Sequence, residues 1–138
     1  MLRRAFWAAA ALAVPVAGAL AEVPADGDAG AAPDLDCAAV YHMMALSGPP
    51  EAIAALMADR RGGALATHAA AGGLDLDDPD DVAGIAETFG ARLAGWLARF
   101  DAATTEAAGD ALLDEVLAGL RLCDARYGLA ATPLDWID

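Results

Sequence analysis

Apolar residues recur at three- and four-residue steps through most of the chain, and no β-type alternation competes with them. Over residues 34–47, Cys37, Val40, Tyr41 and Met44 share one helical face, with Asp34 or Asp36 available as the cap. Gly48-Pro49-Pro50 ends that pattern. A second helix opens at Pro50 or Glu51, gathers Ile53, Leu56 and Met57, and weakens at Gly62-Gly63; residues 64–71 read equally as a kinked continuation or as a separate turn, closed by Gly72-Gly73. A third helix over 79–103 carries the longest stripe, Val82, Ile85, Phe89, Leu93, Trp96, Leu97 and Phe100, which marks it as the core helix, with Gly90 as the place where it would break. The fourth, over 105–127, repeats the pattern with Leu113, Val116, Leu117, Leu120, Cys123 and Tyr127, and Gly128 is placed as its stop. The expected fold is an all-α bundle over 34–128, antiparallel, of four helices or five if 50–72 divides, followed by a tail over 129–138.

The start of the chain reads differently. Arg3 and Arg4 precede an apolar run broken by Pro15, and Ala19-Leu20-Ala21 follows with small residues at the −3 and −1 positions of a cleavage site. This is the grammar of a signal peptide over 1–21, too short to span a bilayer. Residues 22–33, rich in Gly, Pro, Ala and Asp, read as a flexible lead into the bundle. Removing 1–21 leaves six arginines, no lysine and all 21 acidic residues, a formal charge of −15. Such a surface repels nucleic acid and anionic headgroups, and favours a soluble monomer. The absence of Asn, Gln and Lys matches GC-biased coding, and a Gram-negative periplasm is the expected destination.

In an oxidising compartment the only two cysteines, Cys37 and Cys123, are expected to form a disulfide joining the first and last helices. Closing so long a loop stabilises by roughly 4 kcal/mol in the chain-entropy model. Each cysteine has a tyrosine one turn downstream, Tyr41 and Tyr127, placed to pack around the bridge with hydroxyls at the rim. Together with the leader, the DCAAVY and LCDARY segments are similar to small, uncharacterised, helical, disulfide-bonded periplasmic proteins of GC-rich Gram-negative bacteria. That resemblance implies no activity and no cofactor.

Few residues suggest chemistry. The run LDLDDPDD over 74–81 concentrates carboxylates, but lacks the glycine and glutamate that a calcium loop needs at its sixth and twelfth positions. Asp78 as cap, Pro79 as first helical residue and Asp80-Asp81 in the first turn account for it. His42, Met43 and His68 are the candidate metal ligands, copper being the metal their softness suits, provided His68 folds back on His42. No nucleophile, base and orienting group come together in the sequence, which argues against an enzyme. In the tail, Leu134, Trp136 and Ile137 sit among acidic residues, either packed over the bundle end or exposed as an aromatic anchor for a partner. Arg60-Arg61 is placed to receive such a tail. These features imply a non-catalytic accessory module that docks on another exported protein, with a small-ligand or copper carrier as the alternative.

Overall fold

The computed structural model describes residues 33–137; the signal peptide expected over 1–21 and the flexible segment expected over 22–33, but for Pro33, lie outside them. Four helices and no strand make up the described residues: α1 Pro33–Leu46, α2 Glu51–Gly72, α3 Pro79–Ala102 and α4 Glu106–Arg126. The fold is the expected all-α bundle, and the Cys37–Cys123 disulfide joins its first and last helices with Cα atoms 5.5 Å apart.

Local chemistry sets the boundaries. Asp78 accepts from the Asp80 amide and Thr105 from the Ala108 amide, so α3 and α4 each begin on a side-chain cap. At the other end of α2, Gly73 takes a left-handed conformation, its amide bonds to Ala70 and that of Leu74 to Ala69, which is the paired closure a Schellman turn provides. Gly128 does the same for α4, with the Leu129 amide on the Asp124 carbonyl. The open question over residues 50–72 resolves to one continuous helix: α2 passes through Gly62 and Gly63, and α3 passes through Gly90, without interruption. Pro33 already belongs to α1.

The core centres on α1 instead of α3. Nine of the fourteen residues of α1 are buried, and it packs against each of the other three helices. Leu35, Ala38, Ala39, Tyr41 and Met44 are wholly inaccessible, so the helix is covered on all sides. Ala38 and Ala39 let neighbouring backbones come close. In α3 only Ile85 and Phe100 are fully buried; Phe89, Leu93 and Trp96 are half-buried against the core, and Val82 is exposed. Long side chains on α3 thus form the lid of a core whose floor is α1. A second, smaller cluster of Leu35, Ala69 and Ile85 seals the end where α2 turns into α3.

Candidate functional site

The polar groups inside the bundle converge on the disulfide. Tyr41 on α1 donates to Oδ1 of Asp124 on α4 at 3.0 Å, and Tyr127 at the end of α4 donates to Oδ1 of Asp34 on α1 at 2.6 Å. The two phenols cross, each reaching the carboxylate on the opposite helix. The Tyr41 hydroxyl is therefore not at the rim: the residue is fully buried, and burial, with the Asp124 bond second, drives its pKa far above the ordinary phenol value. Tyr127 is pushed up to about 12, by burial first and then by its bond to Asp34. Arg126 adds an Nε bond to the same Asp34 oxygen at 3.1 Å.

Asp124 also clamps the tail. Its Oδ2 accepts from the Thr132 amide and hydroxyl, both at 2.8 Å, while Oδ1 accepts from Arg60 Nη1 at 2.7 Å. Arg60 bonds in turn to the Thr132 hydroxyl at 2.8 Å and, through Nη2, to the Ala130 carbonyl at 3.0 Å. Asp124 is 2% exposed, so this is a buried ion pair with every lone pair directed at a donor. Arg60 does receive the tail, through a hydroxyl and a carbonyl. The tail residues Leu134, Trp136 and Ile137 pack half-buried against the main core, and the Trp136 indole donates to the Pro133 carbonyl at 2.9 Å. Of the two arrangements the sequence left open for the tail, the structure shows the packed one, with these apolar side chains turned onto the bundle.

The candidate metal ligands are dispersed. His42 Nδ1 faces Arg61 Nη1 at 2.6 Å, and its ring meets Phe89 edge-on. Burial and, secondarily, the Arg61 charge lower its pKa, and the Nδ1 lone pair is turned to the Arg61 guanidinium. Met43 is 3% exposed, within the core. His68 lies two turns beyond Arg61 along α2, about 10 Å at the α-helical rise, where it lines a shallow groove of about 270 Å³ with Leu74, Asp80, Asp81, Gly84, Ile85 and Thr88. No group of three or more His, Cys, Asp or Glu among the described residues is arranged to hold a metal ion. In the acidic run, Asp81 accepts from the Asp75 amide and Asp75 from the Asp77 amide, so carboxylates are used in capping backbone.

A few large apolar side chains face outward among the exposed carboxylates. Leu122 on α4 is 73% exposed, and Leu46, Leu76, Val82 and Leu129 are large side chains that also face solvent. Five of the six arginines among the described residues are engaged: Arg60 with Asp124, Arg61 with His42, Arg92 with Asp36, Arg99 with Glu115 and Arg126 with Asp34. Arg121, beside Leu122, is exposed and has no acidic partner among the described residues. The sequence did signal Leu122, because it falls outside the stripe of Leu113, Val116, Leu120 and Cys123 that faces the core. No helix of the described residues is long and apolar enough to cross a membrane. Comparison with protein-family models, curated proteins and solved structures finds no match.

Proposed function

We propose that this chain is an exported, non-catalytic accessory module of the periplasm that docks on another exported protein. The observation that carries the reading is Leu122, a large apolar side chain held 73% exposed on a helix that a disulfide fixes to the rest of the bundle. A rigid helix presenting an apolar side chain to solvent loses little freedom on binding. The interior supports the same reading, since Asp34, Asp124, Tyr41, Tyr127 and Arg60 bond to one another and to the tail. Their chemistry is committed to holding helices together. The formal charge of −13 on the full chain disfavours nucleic acid and anionic lipid as the partner.

Native mass spectrometry of the protein isolated from its own periplasm tests the proposal. A mass carrying a second polypeptide is the expected result. A bare monomer, or one carrying only a metal or small molecule, overturns it, and the latter revives the carrier alternative.

A further inference from the structure

The surface around Leu122 differs in charge from the rest of the molecule. Between Val116 and Leu134 the chain holds one carboxylate, Asp124, and that one is 2% exposed and consumed by Arg60, Tyr41 and Thr132. The outward positions of this stretch are Ala118, Arg121, Leu122, Ala125, Arg126 and Leu129, all exposed. Arg126 lies one turn beyond Leu122, on the same side of the helix. In a chain of 21 acidic residues, the C-terminal end of α4 thus exposes apolar side chains and arginines with no exposed carboxylate of its own, Arg126 being paired with Asp34 from α1.

We infer that this face binds an apolar segment of a partner protein that carries carboxylates, with Leu122 and Leu129 meeting its apolar ridge and Arg121 pairing with its acid. The inference rests on the protein-binding reading above and adds the place and the chemistry of the partner. Arg121 is the determinant because its guanidinium has no acidic partner among the described residues, whereas Arg126 is already held by Asp34. The nearest exposed acidic residues along α4, Asp114 and Glu115, lie seven residues before Arg121 and Leu122, about 10 Å away and near the physiological screening length. A second copy of the chain does not fit: a two-fold dimer lays a patch on the same patch, and this one holds no exposed carboxylate to offer the other copy's Arg121. An extended anionic membrane would meet the surrounding carboxylates as well as the patch, while a narrow protein segment meets the patch alone.

Site-specific photocrosslinking in the native periplasm tests this, with p-benzoylphenylalanine replacing Leu122, Leu46 or Leu76 in turn, all exposed positions. The expected result is a heterologous adduct from position 122 whose cross-linked peptide contains Asp or Glu beside apolar residues. Arg121→Glu should reduce its yield about tenfold, the response of one interface arginine, while Arg121→Lys retains most of it. Circular dichroism and the disulfide mass, unchanged in both variants, exclude misfolding as the cause. Adducts from 46 or 76 but not from 122 overturn this face and leave the protein-binding reading standing. An adduct of position 122 with a second copy, or with residues 22–32 of the same chain, overturns the partner. Indifference to Arg121→Glu overturns the charge argument, and no adduct at any position overturns both readings.

Discussion

Tyr41 and Asp124 are 83 residues apart in the chain and 3.0 Å apart in space, joined by a fully buried phenol-to-carboxylate hydrogen bond beside the disulfide. Removing the Asp124 carboxylate would strand the Arg60 guanidinium, the Tyr41 hydroxyl and the Thr132 amide together. Asp124→Ala is expected to destabilise by about 3–5 kcal/mol, as for a broken buried pair, and Tyr41→Phe by about 1.5–3 kcal/mol, as for a bond to a charged acceptor. Urea unfolding without reductant measures both. Equal stability of Asp124→Ala and wild type would refute the clamp.

The chain has two tyrosines, so its phenolate absorbance reports on these two bonds alone. A free phenol is half-ionised near 10.0, whereas Tyr127 is pushed up to about 12 and Tyr41 still higher. Both phenols are raised in the folded state, so they stabilise it fully below pH 10.0 and lose that contribution as pH rises through their native values. An ultraviolet titration of the native protein is expected to show little phenolate where the urea-unfolded protein is already half-titrated.

His42 responds at the other end of the scale. Its native pKa lies below the ordinary 6.5, through burial first and Arg61 second. On acidification the unfolded imidazole takes up a proton before the native one does. Stability is therefore expected to fall as pH drops below 6.5 and to stop falling, for this group, beneath the native value. His42→Gln should flatten the dependence of the melting temperature over that window; an unchanged slope assigns it elsewhere.

The tail is a structural member. Ending the chain after Gly128 removes both Thr132 bonds to Asp124 and uncovers the core beneath Leu134, Trp136 and Ile137. Trp136→Ala alone is expected to cost about 2 kcal/mol from lost apolar burial, and the truncation more. A melting temperature unaffected by truncation would return the tail to the role of a free anchor.

Gly62 and Gly63 lie inside α2, and an added Cβ at either meets nothing within 4 Å. Gly62→Ala and Gly63→Ala should each stabilise by about 0.5–1 kcal/mol, the helical cost of glycine. Thermal melts of the single and double variants check this.

The parts of the fold legible in the sequence are those decided within a few residues. The cap at Asp78, the stops at Gly73 and Gly128 and the stripe of α4 follow from spacing and backbone preference. The disulfide followed from there being only two cysteines. What sequence could not supply was the assignment of α1 as the core: Ala38 and Ala39 add little to a hydrophobic stripe, yet their small size is what brings other helices against α1. The Asp124 clamp joins Arg60, Tyr41 and Thr132 across 64, 83 and 8 residues, and no local pattern encodes such a convergence. Trp136 stayed open between packed and exposed because a terminal aromatic among acids has no neighbour in sequence that decides it; the helices beneath it do. Leu122 lies off the stripe of its helix, a signal the sequence reading did not single out, and the stretch around it exposes no carboxylate only because Asp124 faces inward.

The disulfide also imposes an order on biogenesis. Synthesis runs from the N-terminus, so Cys37 is made early and its partner arrives 86 residues later, on the last helix. Until then α1 has buried side chains without their full cover and a thiol without a mate, and every chain that stops before Cys123 carries both. Oxidation of that thiol is consequently a progress mark: a chain with the native bridge has already delivered α4 as far as Cys123, and one ended before that point is distinguishable by a free sulfhydryl.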